Sequence, residues 1–208
     1  NNVLVAAPTG AGKTVVADFA VFLAQQHNVK AFYTTPIKAL SNQKYHDLVD
    51  VYGEDKVGLL TGDISINSEA DIVVMTTEVL RNMLYEHSTT LSALRYVILD
   101  EVHYLADRFR GPVWEEVIIH LPQRVRIVAL SATVSNVEDF GDWISSVRGD
   151  TKLIVSEKRP VPLEQHVMLQ QSDRTEPEII DLYRRDRNDR QTSEVNTELA
   201  RRLSQLDH

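Results

Sequence analysis

A chain of 208 residues with a net charge of −8 and no cysteine is long enough for one α/β domain with a full core plus an extension. The missing cysteines exclude disulfides and zinc–thiolate sites, and the acidic balance argues against a general polyanion-binding surface. No apolar run approaches the ~20 residues of a membrane span, so no membrane partner is expected and a reducing, cytoplasmic setting fits.

The chain opens at Asn1, without an initiator Met and almost on an apolar run, which predicts a piece of a longer protein. That run, 3–6, reads as a strand and is followed by Ala7-Pro8-Thr9-Gly10-Ala11-Gly12-Lys13-Thr14 and a helix-like stretch over 14–26. Strand, glycine-rich loop and helix in this order form the setting of a nucleotide-phosphate cradle. The glycines let backbone N–H groups turn inward around a phosphate, and the helix start adds partial positive charge. Lys13 is placed to reach the β- and γ-phosphates, and the Thr14 hydroxyl to ligand Mg²⁺. Position 7 is Ala where the pattern usually has Gly.

Further strands are expected at 31–34, 57–60, 72–75, 96–99, 127–130 and 153–155, with helices at 37–51, 78–85, 114–120 and 137–146. Alternating short apolar runs and amphipathic stretches predict an α/β fold. It would be a three-layer domain with a mainly parallel sheet of about seven strands between helices. In such sheets ligands bind outside the carboxyl ends of the strands. The conspicuous polar motifs all follow strand ends, after positions 6, 34, 60, 75, 99 and 130.

Asp100-Glu101-Val102-His103 follows the apolar strand at 96–99. Asp100 is placed to hold Mg²⁺ and Glu101 to polarise an attacking water. Ser131-Ala132-Thr133 follows the next strand, about thirty residues on; alone it is a helix-capping signal, and its weight comes from its position.

In combination these segments resemble the superfamily-two helicases, specifically their DExH group. Ala7–Thr14 is similar to motif I, Asp100–His103 to motif II and Ser131–Thr133 to motif III. Tyr33-Thr34-Thr35-Pro36-Ile37-Lys38-Ala39-Leu40-Ser41-Asn42-Gln43-Lys44-Tyr45 resembles motif Ia. Thr61-Gly62-Asp63 and Met75-Thr76-Thr77-Glu78 are similar to the two nucleic-acid-contacting motifs that follow it. With Asp107-Arg108-Phe109-Arg110-Gly111-Pro112-Val113-Trp114-Glu115-Glu116, the pattern is closest to the Ski-like RNA helicases, a group that includes Mtr-type and actinobacterial HelY proteins.

The resemblance implies a RecA-like ATP-binding domain over 1–170, the first of two such domains, using ATP and Mg²⁺. Lys13, Asp100 and Glu101 would be its catalytic residues, and Thr14 and Asp100 its metal contacts. His103, Ser131, Ala132 and Thr133 would couple the nucleotide to the facing domain. Pro36, Lys38, Gly62, Thr76, Thr77 and Arg81 would contact a single-stranded RNA backbone, with DNA as the rival strand. Such hydroxyls, amides and cations position a strand without reading its bases. The family further implies 3′→5′ translocation and RNA-decay machinery as a partner.

From about 170 the composition turns polar, and 171–208 is expected to be a linker or arm, in part unordered, with short helices around Leu182–Tyr183 and Leu199/Leu203/Leu206. Arg184-Arg185-Asp186-Arg187 lacks the glycines of the family's arginine motif, which is expected in the second domain. An arginine finger is worth about 10³–10⁵ in rate, so the 208-residue chain alone is expected to be nearly inert. A nucleotide-dependent interaction module, with 171–208 as docking arm, is the non-enzymatic alternative. The histidines other than His103 show no metal-ligand spacing, and Trp114 and Trp143 read as packing residues.

Overall fold

A computed structural model describes residues 1–103, 111–133, 136–170 and 176–206, so the quoted 107–110, and 171–175 and 207–208 of the arm, lie outside the described residues. The chain packs as two units, Asn1–Lys158 and Arg159–His208. The sequence reading places the boundary at 170/171; the second unit begins earlier because a strand at His166–Leu169 pairs with one at Glu178–Asp181.

In the first unit β1 (Asn2–Ala6), α1 (Thr14–Gln26), β2 (Lys30–Thr35), α2 (Lys38–Tyr52), β3 (Val57–Leu60) and β4 (Ser65–Ile66) come first. They are followed by β5 (Ile72–Thr76), α3 (Thr77–Tyr85), a 3-10 turn (Thr89–Ala93), β6 (Leu94–Leu99), α4 (Gly111–His120), β7 (Arg126–Ser131), α5 (Val137–Arg148) and β8 (Thr151–Val155). The sheet runs β4-β3-β5-β2-β6-β7-β1-β8. Every pair is parallel except β3 with β4. Seven of these strands coincide with the expected ones, and the eighth, β4, is a two-residue addition.

Strands such as β3 and β5 are apolar along nearly their whole length because both faces are covered, whereas β2 also buries Lys30, Thr34 and Thr35 and the edge strands β4 and β8 are largely exposed. Val5, Tyr33, Ile72, Val74, Ile98 and Leu130 pack with Ala17, Ala20 and Val21 of α1 and Leu48 of α2. Their neighbours along the same strands, Ala6, Phe32, Val73, Met75, Val97 and Leu99, pack with Leu80 of α3, Trp114 and Ile118 of α4 and Ile144 of α5. The period of two along each strand thus separates two cores, one per face. Trp114 is fully buried and Trp143 is partly buried against the same core, as packing residues.

Polar latches tie the elements away from the motif-bearing rim. Buried Arg148 ends α5 and donates to the carbonyls of Leu121, Pro122 (2.8 Å) and Val125 (2.9 Å), satisfying a loop that would otherwise bury bare acceptors. Asn2 accepts from the Ile127 N–H at 3.0 Å. Buried Lys30 donates to the carbonyls of Glu69 and Ala70, each at 2.9 Å. Gly58 lies so close to the turn after β4 that a Cβ there would collide with the Asn67 carbonyl oxygen.

The second unit contains β9 (His166–Leu169), β10 (Glu178–Asp181), β11 (Tyr183–Arg185), β12 (Gln191–Val195) and α6 (Thr197–Leu206). The hairpins β9–β10 and β11–β12 are antiparallel. A helix at Leu182–Tyr183 is not formed; Tyr183 opens β11, whose partner strand fixes it as extended, while Leu199 and Leu203 do lie on a helix, α6. Arg185 binds Asp181 (2.6 Å) and Glu164 (2.8 Å), and His166 contacts Asp181 at 2.8 Å. Charge pairing rather than apolar periodicity organises these strands.

Candidate nucleotide site and strand-binding groove

Because β6, β7 and β1 are neighbours, the loops after Leu99, Ser131 and Ala6 leave the sheet side by side. Hydrogen bonds join them. The Ala7 N–H donates to the Ser131 carbonyl at 3.0 Å, and the Ala132 N–H to His103 Nδ1 at 3.2 Å. The three sequence motifs at 7–14, 100–103 and 131–133 therefore occupy one corner of the rim.

In the glycine loop, Gly10 and Gly12 have φ of +81° and +82°, a region where a side chain is strained. This turn carries the backbone from β1 into α1, whose start has no side-chain cap. Lys13 Nζ donates back to the Ala7 carbonyl at 3.4 Å, holding the cation over the loop. A loop that needs glycine at two left-handed positions, ending on a lysine and an uncapped helix start, fits a polyphosphate.

Asp100 stands at the mouth of β6. Its N–H donates to the Thr34 carbonyl at 3.0 Å, and its Oδ1 accepts the Glu101 N–H at 2.9 Å. Its Oδ2 accepts the Tyr33 hydroxyl at 2.8 Å. Among the described residues each oxygen takes one hydrogen bond, and a carboxylate oxygen can accept more than one, which leaves room for a metal or its water. Asp100 and the Thr14 hydroxyl at the start of α1 would offer oxygen donors only, which fits Mg²⁺, a hard cation held by one or two protein groups plus phosphates and waters. Among the described residues no cluster of three His, Cys, Asp or Glu side chains forms a separate metal cage.

Glu101 adopts φ +55°, the left-handed region that non-glycine residues avoid. Such strain concentrates where a side chain must be aimed. Its Oε2 lies 3.2 Å from His103 Nδ1, the same nitrogen that accepts from Ala132. A bare Nδ1 accepts from the Ala132 amide, whereas a proton on Nδ1 would serve Glu101 instead. His103 thus joins the acidic motif to 131–133 through one two-way atom. Ser131 is buried and its hydroxyl donates to the Ala132 carbonyl at 2.7 Å, a local role.

Tyr33 opens the motif Ia segment but has no site role in the sequence reading. It is fully buried in β2, and Lys44 of α2 lies over its ring at 4.9 Å while pairing with Asp18 of α1 at 2.8 Å. Burial, and next the negative charge of Asp100, push the Tyr33 hydroxyl far above the usual phenol range, so it stays a donor. A bulky phenol inside a strand covered on both faces was the available signal, since its buried hydroxyl must find a partner.

Farther along the rim, Pro36, Ile37, Lys38, Gly62 and Thr76 line a groove of about 340 Å³ together with Glu78, Val79 and Asn82. Four of the six residues assigned to strand contact meet here. Lys38 pairs with Asp63 at 2.8 Å, and Thr61 also donates to that carboxylate. The hydrogen bond from Lys38, then that from Thr61, hold the Asp63 carboxyl below its ordinary value. The other two residues face other partners. Thr77 is buried and donates to the Thr35 carbonyl at 3.2 Å, and Arg81 Nε lies 3.7 Å from Glu116 of α4.

Residues 1–140 match the family described as DEAD/DEAH box helicase. The chain is 66% identical over 169 residues to "Probable helicase HelY" of Mycobacterium tuberculosis (strain ATCC 25618 / H37Rv), covering 81% of this chain and 19% of that protein. It is 50% identical over 180 residues to "Superkiller complex protein 2" of Mus musculus, covering 86% of this chain and 14% of that one. The chain therefore spans about a fifth or less of the length of these relatives. The Pyrococcus furiosus Hef helicase domain shares the fold, with a TM-score of 0.60 at 20% identity over 75% of this chain and 35% of that one. The family match, these relatives and the helicase-type sheet together establish that the chain belongs to the DEAD/DEAH box helicases, as a first RecA-like domain of the Ski-like, HelY-like DExH type.

Proposed function

We propose that this chain is the ATP-binding half of an ATP-dependent RNA helicase, and that a second RecA-like domain completes its active site. The observation that carries the reading is the joining of loops 7–14, 100–103 and 131–133 by the Ala7–Ser131 and Ala132–His103 hydrogen bonds. In this role the glycine loop binds the phosphates of ATP and Lys13 reaches the β- and γ-phosphates. Thr14 and Asp100 hold Mg²⁺, which when bound neutralises charge on the phosphates. Glu101 orients the attacking water and takes its proton. His103, by exchanging the Ala132 amide for Glu101, reports that step to 131–133.

The groove at Pro36, Lys38, Gly62 and Thr76 takes the sugar–phosphate backbone of a single strand, RNA by the likeness of the 36–43 segment to Ski-like enzymes. Opening and closing against the second domain would then move the strand 3′→5′, in a cytoplasmic RNA-decay setting. Arg185 is committed to Asp181 and Glu164, which fits a transition-state arginine supplied by the second domain.

The test compares the 208-residue chain with the longer protein that includes a second RecA-like domain. The longer protein is expected to hydrolyse ATP with stimulation by single-stranded RNA, more than by DNA, and to lose this in Lys13→Ala. The short chain is expected to bind Mg-nucleotide and turn over at least about 10³-fold more slowly. Robust RNA-stimulated turnover by the short chain would falsify the two-domain reading, and stronger stimulation by DNA would replace RNA as the substrate.

A further inference from the structure

We infer that Tyr33 is a positioning residue for the metal-binding carboxylate: its buried hydroxyl fixes the Asp100 side chain so that the remaining oxygen lone pairs face the nucleotide-bound metal. The inference rests on the nucleotide-site reading above and adds a residue to it.

Tyr33 and Asp100 belong to different strands, and the parallel register of β2 and β6 brings them together. Tyr33 pairs with Ile98 and Thr34 with Leu99, so Asp100 lies one step beyond the ladder. There its N–H is caught by the Thr34 carbonyl and its Oδ2 by the Tyr33 hydroxyl at 2.8 Å. The Glu101 N–H holds Oδ1 at 2.9 Å. Two donors on two different oxygens set the torsion of a short carboxylate completely. A hydrogen bond from a fully buried donor to an ionised acceptor is among the stronger ones.

The tyrosine is itself immobilised. Its ring packs among Ile72, Val74 and Ile98, and Lys44 lies on it at 4.9 Å. Lys44 is in turn anchored to Asp18, four residues after Thr14 on α1. Asp18 and Thr14 therefore share one face of that helix. The side chains Asp18, Lys44, Tyr33 and Asp100 form a continuous brace behind the site, linking the helix that bears one metal contact to the carboxylate that is the other. Partners of this kind orient metal ligands, and their loss typically costs about 10–100-fold in metal affinity.

The substitution Tyr33→Phe keeps the ring, its packing and the lysine contact while removing only the donor. The experiment measures binding of a fluorescent N-methylanthraniloyl-ADP to the chain with Mg²⁺ and with chelator. The gain in affinity that Mg²⁺ confers on the wild-type chain is expected to fall roughly tenfold in Tyr33→Phe, with metal-free binding unchanged. A retained gain, or equal weakening with and without Mg²⁺, overturns the positioning role. A wild-type chain indifferent to Mg²⁺ overturns the metal site itself, and Tyr33's role with it.

Should Tyr33→Phe fail to fold, a chain that keeps Tyr33 decides the question. The ¹³Cζ resonance of Tyr33 reports on its hydroxyl. It is expected to shift on adding Mg-nucleotide and to differ in Asp100→Asn. A resonance that ignores both changes overturns the inference.

Discussion

The rim of the sheet holds two regions built on different terms. At the β1–β7–β6 corner the roles expected from sequence fall to backbone turns and short side chains that the fold has already aimed: the left-handed glycines 10 and 12, the doubly held Asp100, the strained Glu101. At the β3–β5–β2 end the two expected cations are long and flexible, and the fold has given several of the expected contacts other partners. Lys38 is paired with Asp63, Arg81 lies beside Glu116, and Thr77 is buried on Thr35. A preorganised site suits chemistry, where reorganisation during the reaction is costly. A groove whose cation must first leave a carboxylate suits a strand that is gripped and released.

The largest expected effect tests the preorganised corner. Glu101→Gln in the proposed two-domain protein should lower the rate of ATP hydrolysis by roughly 10²–10⁴ while leaving Mg-nucleotide affinity intact, measured by single turnover and equilibrium binding. A loss of affinity equal to the loss of rate would make Glu101 a binding residue and erase the contrast.

A smaller effect tests the groove. Asp63→Asn frees Lys38 and should raise affinity for single-stranded RNA about two- to fivefold at low salt, read by fluorescence anisotropy. Thr77→Val, whose hydroxyl serves the Thr35 carbonyl, should leave that affinity unchanged. Should Thr77→Val weaken RNA binding and Asp63→Asn leave it alone, the groove would be using the partners that this structure keeps inside.

The smallest effect is in acid. The Asp63 carboxyl is held below 3.8 by Lys38, and in the second unit Arg185 holds Glu164 below 4.5 and Asp181 below 3.8. Lowered carboxyls stabilise the folded form above their unfolded values, and that contribution is lost as pH falls through the lower folded values. Carbon-13 titration of the side-chain carboxyls should place all three midpoints beneath those figures. Ordinary midpoints would mean that these pairs are not held in solution.

How much of this was legible in the sequence depends on what each element relies on. The inner parallel strands rely on apolar runs covered on both faces, and 31–34 or 127–130 could be read directly. The strand β4 could not, since Ser65 and Ile66 are exposed and owe their conformation to β3. Tyr183 sits in an extended strand although its neighbourhood reads as a weak helix, because it pairs with Val195 of β12 and the adjoining Arg185 is tied to Asp181 and Glu164. In the site, Lys13, Asp100 and Glu101 announce themselves by motif. Tyr33 does not, because its partner is 67 residues away and only the β2–β6 register brings the two together.

Gly58 has a bearing on solubility. It lets the turn at Asn67 close over β3, so that Ser65 and Ile66 pair with Leu60 and Leu59. Without that two-residue cover, β3 would end the sheet with a row of open backbone donors and acceptors, a template for pairing with another chain. The short antiparallel β4 thus shortens the open edge that could pair with another chain, and a single methyl group at position 58 would force the Asn67 turn that closes it to shift.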